Sequence, residues 1–394
     1  MVPAMLDVWL REGRDRSVRR RHPWVLSGSV ERVVGEEEAG AFTAVRSAAG
    51  EVLGYGHYAP GSAIRVRLLH FGPEAEDEAG LRRLLVRAIA RRAEPGAAPD
   101  SDAVRLVNAE GDGVPGLTVD RYADVVVARV GSAGMARRLS VVREVLESWS
   151  GASRGVVRSD AVAARREGFG QLQGALYGAL PEEPVTIREG SRLYRVDTVH
   201  GQKTGFYLDQ RESRARVVAL AAGRRVLDLF AYTGGFGVAA AAGRAREVSV
   251  VEESPAALEL ARENFRRNGL ATPVEWIRAD AFRFLRRHPD RRYDLIVVDP
   301  PPLARSRGEL PRALRAAKDL LLYAFRAGAP GARILAFSCS HHLGAELLRK
   351  VAFGASLDAR RPARVLAELG APPDHPVSLD HPEGRYLSGL LLEL

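Results

Sequence analysis

Cys339 is the only cysteine in the 394-residue chain, and it stands where the apolar run ILAFSCS would leave a buried strand for solvent. A thiol there has two uses. It can fill space as a small hydrophobe, the common fate of a free cysteine. It can also act as a nucleophile, because a thiolate forms covalent intermediates that divide one hard step into easier ones. A space-filling thiol belongs in mid-strand, so the rim position favours the nucleophile. Carboxylates recur in the same kind of place: Asp228 in RVLDLFAYTGGFG, Glu252 in VSVVEES, Asp280 in WIRAD and Asp299 in LIVVDPPP. One acid after one strand is often a helix cap. Four in order, each on a successive apolar run, describe a ligand site. After Asp228, Gly234, Gly235 and Gly237 let the backbone approach a ligand closely at a helix N-terminus. Glu252 follows at roughly the 20-residue spacing at which a doubly wound fold holds an acid for ribose hydroxyls.

These residues need elements that bring them to one edge. From about residue 187 a strand or hairpin, SRLYRV, and a polar loop lead into regular alternation. RVLDLFA is followed by a helix to about Arg244, EVSVVEES by a helix over 255–268, and VEWIRAD by another helix. YDLIVVDPPP is followed by a helix over 309–328, and RILAFSCS by one over 343–352. Short all-apolar strands between helices predict a parallel sheet covered on both faces. In such an α/β fold ligands sit at the carboxyl ends of the strands. That is where the thiol and the acids fall.

Two further segments precede this one. Residues 1–72 alternate and are punctuated by Gly and Pro, which predicts a small β-rich module. Its run Arg19, Arg20, Arg21, beside His22 and Trp24, suits contact with an RNA backbone and its bases, and equally a solvated surface with one core Trp. Residues 73–186 predict a central α+β domain. Its opening helix places Leu81, Leu84, Leu85, Ala88 and Ile89 on one face. Asp112 and Asp120 read as turn-forming carboxylates.

Bulk properties agree with a polyanion partner. The formal charge is +9, the pI is about 10.0, and only Lys203, Lys318 and Lys350 among 58 basic residues are lysine. Arginine pairs bidentately with phosphate and stacks on bases. One cysteine forms no internal disulfide and no cysteine-based zinc site, so no metal is expected. No apolar run approaches a membrane span and the opening MVPAMLDVWLREGRDR does not read as a signal peptide, so the expected location is the cytoplasm, with no membrane partner.

With its strand-end acids and Gly-rich turn the chain resembles the S-adenosylmethionine-dependent methyltransferases of the Rossmann-like class. The strings GLTVDRYADVVV, HGQKTGFYLDQRESR, VLDLFAYTGGFGV, VVDPPPLARS, FSCS and DHPVSLDHPEGRYL narrow the likeness. They are similar to those of bacterial large-subunit rRNA cytosine-C5 methyltransferases of the RlmI type, nearly end to end, including a leading PUA-like module. After the DPP motif that family often carries an aromatic and a lysine; here Leu303, Arg305 and Arg307 stand there. The resemblance implies S-adenosylmethionine as cofactor and large-subunit rRNA as partner, and a homodimer is an option. It implies a cofactor site of Lys203, Tyr207, Asp228, Phe230, Thr233, Gly234, Gly235, Phe236, Glu252, Asp280, Ala281 and Asp299. In it the Gly-rich turn cradles the methionine part, Glu252 takes the ribose and Asp280 with Ala281 faces the adenine. The DPPP loop would hold a target base through Asp299. Cys339 would attack C6 of cytosine so that C5, a poor nucleophile by itself, can take a methyl group. Other readings of the chain are methylation of an exocyclic amine on guanine or adenine, which makes Cys339 dispensable, a non-catalytic RNA-binding assembly factor, and a nicotinamide dehydrogenase. The incomplete Gly fingerprint argues against the last.

Overall fold

A computed structural model describes residues 5–94, 96–288, 290–304 and 306–394, so Arg305 lies outside the described residues. Contacts group the chain into two compact units. The first comprises Met1–Ile187, Val196–Leu208 and Pro373–Gly384. The second comprises Arg188–Arg195, Asp209–Pro372 and Arg385–Leu394. Two segments that sequence places with the last 200 or so residues, Val196–Leu208 and Pro373–Gly384, therefore pack with the first unit.

The first unit holds two sheets. Six strands, in the order Trp24–Leu26, Ile64–Phe71, Val52–Tyr58, Phe42–Arg46, Leu6–Leu10 and Val30–Val34, form the leading β-rich module. A second sheet of five runs Gln173–Tyr177, Arg154–Ser159, Val125–Val130, Leu117–Tyr122 and Ala103–Asn108. The helix Glu78–Arg92 buries Leu81, Leu85, Ala88 and Ile89 against it, on the face the spacing predicts, with Leu84 partly buried. Polar ties join the segments that flank the two sheets. Arg67 Nη1 donates to both oxygens of Glu167 at 2.8 Å, Arg138 Nη1 to the Gly40 carbonyl at 2.8 Å, and Trp24 Nε1 to Glu110 at 2.8 Å.

Asp112 does stand in a turn, at the end of the short 3-10 segment Ala109–Asp112, whereas Asp120 does not. Asp112 is buried in a fork–fork pair with Arg92 at 2.7 Å for both bonds, and accepts from the Asn108 amide at 2.7 Å. Asp120 lies inside the strand Leu117–Tyr122, fully buried, and takes both arms of Arg105 at 2.7 and 3.0 Å. Burial of a carboxylate is tolerable only with such partners. The same network carries the two returning segments. Thr204 Oγ1 donates to Asp120 at 2.5 Å, and Asp374 accepts from the Arg105 amide at 3.0 Å.

The second unit is built on seven strands: Arg225–Leu229, Glu247–Glu252, Val274–Arg278, Tyr293–Val298, Gly328–Ser338, Arg364–Leu369 and Ser388–Glu393. Across the sheet they stand third, second, first, fourth, fifth, seventh, sixth. The first five are parallel; the seventh pairs antiparallel with both the fifth and the sixth. The sequence reading stops at the fifth strand, and the helix after it runs Ala345–Ala359, longer than predicted. The first and fourth strands lie side by side at the centre, where the order reverses. Their residues Leu227, Leu229, Leu295, Ile296 and Val297 are all fully buried, as strands covered on both faces require. Helix starts follow local chemistry. Ser254 caps Pro255–Arg267 through the Ala257 amide, with Pro255 in the first turn. Among the described residues no helix is long and apolar enough to cross a membrane.

One buried ion pair in this unit supplies a stability prediction. Arg214 is fully buried; Glu189, 2% exposed, accepts from its Nε at 3.0 Å and from its Nη2, and from Arg192 at 3.0 Å. Glu189→Ala leaves the Arg214 charge buried without the carboxylate that takes two of its bonds. Denaturant titration should show a loss of about 3–5 kcal/mol.

Candidate active site

The first strand delivers Asp228 one residue before its end, fully buried rather than at the rim. Its Oδ2 accepts from the Gly237 amide at 2.7 Å, while Oδ1 is buried without a partner. Between this strand and the helix Gly235–Ala242 the chain turns sharply. Phe230, Tyr232 and Gly234 have φ of 59°, 49° and 75°. Two non-glycine residues in the left-handed region within so short a turn are strain of the kind that surrounding structure must hold. Three bonds do so: Gly234 N to the Ala231 carbonyl at 2.8 Å, Tyr232 N to Glu252 at 2.8 Å, and Asn264 Nδ2 to the Thr233 carbonyl at 2.9 Å. A Cβ on Gly234 would stand 3.0 Å from that of Ala261, so helix packing as well as φ requires glycine there. Thr233 Oγ1, like Asp228 Oδ1, is buried without a partner.

Burial pushes the Asp228 carboxyl up to about 8, against the pull of the Gly237 amide and with help from the charges of Asp299 and Glu252. Above its ordinary pKa the unfolded chain releases this proton, whereas the folded protein keeps it until about pH 8. Folding stability should therefore fall as pH rises through that window, by up to about 1.4 kcal/mol per pH unit. Asp228→Asn removes the titration. Denaturant melts of the ligand-free protein should show the variant gaining on the wild type from acid to neutral pH.

Glu252 ends the second strand. One oxygen accepts from Tyr232 N and the other from Ser254 N, each at 2.8 Å, so the carboxylate is aimed by backbone on both sides. Asp280 follows the third strand and caps the helix Ala281–Arg287 through the Arg283 amide at 2.8 Å; Ala281 is its buried first residue. Asp299 follows the fourth strand directly and accepts from Gln210 Nε2 at 3.1 Å. Cys339 follows the fifth, half-buried, with Sγ 3.4 Å from the Pro300 carbonyl. Beside it Ser340 Oγ donates to the Ala304 carbonyl at 2.7 Å. Two bonds thus stitch the loop after the fourth strand to the loop after the fifth, and the thiol is held one residue from Asp299. Phe236 stacks on Phe337 at 5.9 Å and Phe230 meets Phe282 edge-on at 5.9 Å, so both rings pack the floor of the row.

Lys203 and Tyr207 are grouped with the first unit, and the other cofactor candidates with the second. Lys203 Nζ lies 4.2 Å from the Tyr207 ring centre, and Tyr207 donates to Gln202 at 2.7 Å. Of the arginine run, Arg19 is engaged with Asp15 and Glu51, Arg21 lies over Phe71 at 4.9 Å, and Arg20 is exposed. Trp24 is not an open stacking platform. Its Nε1 is held by Glu110, and its ring meets His381 edge-on at 4.5 Å and His22 at 5.8 Å. Sequence reasoning missed a better-formed aromatic–cation group: Arg32 lies 4.2 Å over Trp9, with Arg46 at 5.9 Å on the same ring. These residues come from three separate strands, which no local motif could join. It also missed the bond of Gln210 to Asp299, which joins residues far apart in the chain.

The family model of S-adenosylmethionine-dependent methyltransferases matches residues 118–376, and a PUA-like domain model matches residues 8–71. Ribosomal RNA large subunit methyltransferase I of Aeromonas hydrophila is 39% identical over 394 residues, covering 98% of both chains. The protein of that name from Shewanella denitrificans is 39% identical over 392 residues, again covering 98% of both. In fold, the chain is similar to SMU.776, whose crystal structure was solved complexed with SAH. The TM-score is 0.85 at 20% identity, covering 99% of this chain and 100% of that one. The residues fit such a cofactor. Asp228 Oδ1 and Thr233 Oγ1 are buried polar atoms awaiting partners beside a glycine turn, and Glu252 is fixed by two amides at the next strand end. The chain belongs to the S-adenosylmethionine-dependent methyltransferases, in the family of ribosomal RNA large subunit methyltransferase I with its leading PUA-like domain.

Proposed function

We propose that this protein methylates C5 of a cytosine in large-subunit ribosomal RNA, with Cys339 as covalent nucleophile and Asp299 holding the base. The relatives named for large-subunit rRNA methylation support the substrate class. The observation that carries the chemistry is the thiol 3.4 Å from the Pro300 carbonyl, beside Asp299. Asp228, Thr233, the Gly234–Gly235 turn and Glu252 would hold S-adenosylmethionine, which supplies an electrophilic methyl group on a positively charged sulfur. Cys339, as thiolate, adds to C6 and forms the S–C6 bond. The π pair of C5=C6 moves to C5, which would attack the methyl carbon; its bond to sulfur would break with the electron pair left on the sulfur, giving a neutral thioether. A base then removes the C5 proton, the freed pair re-forms C5=C6, and the S–C6 bond breaks to return the thiolate. Asp299 accepts a hydrogen bond from the N4 amino group and from N3 once solvent has protonated it in the adduct, and N3 returns that proton to solvent as the thiolate leaves, so the carboxylate's charge acts where positive charge develops.

Large-subunit rRNA treated with pure protein and labelled cofactor should yield 5-methylcytidine, located by mass mapping. Label on an exocyclic amine of guanine or adenine would overturn the C5 reading. The cofactor assignment has its own check. Glu252→Ala would also orphan the Tyr232 and Ser254 amides, whereas Glu252→Gln keeps an acceptor for one of the two and is the milder change. Calorimetry should show binding of S-adenosylmethionine weakened by about 1–3 kcal/mol.

A further inference from the structure

We infer that Asn264 is a positioning residue for the cofactor: its side-chain amide ties the Thr233 carbonyl to the backbone of the strand Arg192–Val196, and so holds the strained turn in its binding shape. The inference rests on the reading of that turn as part of the cofactor site. Asn264 lies on the helix Pro255–Arg267 and is fully buried. Burying an amide is costly unless both of its ends are bonded, and here both are. Oδ1 accepts from the Arg195 amide at 2.7 Å, and Nδ2 donates to the Thr233 carbonyl at 2.9 Å. A backbone N–H only donates and a carbonyl only accepts, so the two partners fix which way the amide points. Thr233 stands between Tyr232 and Gly234, whose φ angles are 49° and 75°, so the bond falls at the centre of the strain. One turn earlier on the same helix, Ala261 lies 3.0 Å from where a Cβ on Gly234 would stand. The helix thus meets the turn twice, once by contact and once by hydrogen bond.

The strand at the other end of this tie is itself anchored. Asn268, one turn further along the chain, accepts from the Leu193 amide at 2.8 Å and donates to the Leu193 carbonyl at 2.7 Å. Tyr194 is fully buried, and its hydroxyl donates to the Gly235 carbonyl at 3.4 Å. Leu193, Tyr194 and Arg195 are therefore all bonded to the asparagines or to the glycine turn. Asn264 and Asn268 stand four residues apart and hold the same strand. Their roles differ. Among the described residues the side chain of Asn268 bonds only Leu193 and the Asn264 carbonyl, whereas that of Asn264 reaches the turn. Without the Nδ2 bond the turn loses a restraint between its two left-handed residues, and the cofactor must order it on binding. That ordering cost appears as lost affinity.

The test is calorimetric titration of the full chain with S-adenosylmethionine, compared among the wild type, Asn264→Ala, Asn268→Ala and Asn264→Asp, each at a temperature where circular dichroism shows it folded. Both alanine variants should unfold at lower denaturant concentration. Asn264→Ala should also bind the cofactor about tenfold more weakly, the scale of one lost hydrogen bond, whereas Asn268→Ala should stay within about twofold of the wild type. Asn264→Asp keeps the acceptor for Arg195 but can donate to the Thr233 carbonyl only while it holds a proton. The charged neighbours on its helix and on the strand, Glu263 and Arg195, pair with each other at 3.5 Å. Asp228, likewise fully buried in this unit, keeps its proton to about pH 8. The affinity of Asn264→Asp relative to the wild type should therefore fall as pH rises from about 6 to about 9. Wild-type affinity in Asn264→Ala, or equal losses of affinity in the two alanine variants, would overturn the inference. If Asn264→Ala fails to fold, a relative affinity of Asn264→Asp that does not change with pH would do the same. Unchanged affinity in Glu252→Gln would overturn the placement of the cofactor and this inference together.

Discussion

Cys339→Ala should lose turnover by several orders of magnitude while keeping its fold and its affinity for S-adenosylmethionine. The chain contains no second thiol to take over, and without addition at C6 the C5 carbon stays too weak a nucleophile to take a methyl group. Structural damage should be slight. The side chain is half-buried just beyond the fifth strand, and its contact with the Pro300 carbonyl is a weak sulfur hydrogen bond. The core beneath it is built by Ala336 and by Phe337 stacked on Phe236, which the substitution does not touch. Thermal melts and cofactor titration should therefore match the wild type, with only the methyl-transfer rate collapsing. Comparable rates would mean that no covalent step occurs and would favour methylation of an exocyclic amine.

Asp299→Asn should lower the turnover number by about 10²–10³, the effect of removing one preorganised group from a site of developing charge. Asparagine still accepts a bond from Gln210 and keeps the shape of the loop, so positioning survives. What disappears is the negative charge opposite N3 and N4 of the adduct. Because that charge acts mainly once the ring has been attacked, binding of RNA should change far less than turnover. Single-turnover kinetics at saturating RNA separates the two. An equal loss in RNA affinity and in rate would mean that Asp299 contributes uniform binding only.

Much of this site is legible in sequence because strand ends in a parallel sheet are marked twice, by an apolar run and by the helix that follows. Asp299 and Cys339 stand directly after their strands, and Glu252 is the last residue of its own. Asp228 is displaced by one residue, into the strand and out of solvent. Asp280 shows why residue type alone is ambiguous: it sits where a ligand acid would, and it also caps a helix. The sixth strand, RVLAEL, escaped notice because it is an edge strand exposed along most of its length, so burial imposes no alternation on it. The return of Val196–Leu208 and Pro373–Gly384 to the first unit was also hidden. It depends on buried polar partners, Thr204 with Asp120 and Asp374 with Arg105, that are far apart in the chain. Gln210 stands within the string HGQKTGFYLDQRESR, but its bond to Asp299 joins residues far apart in the chain, so its place in the site could not be read there.

The central claim is that a bond forms between Cys339 and the target base. Wild-type protein, S-adenosylmethionine and rRNA carrying 5-fluorocytidine should accumulate a stable complex, because fluorine cannot leave C5 as the proton does. Mass spectrometry of the digested complex should place a methylated fluorocytosine adduct on the peptide containing Cys339, and Cys339→Ala should form none. An adduct on another residue, or methylation of native rRNA by the wild type with no adduct on the substituted RNA, would contradict it.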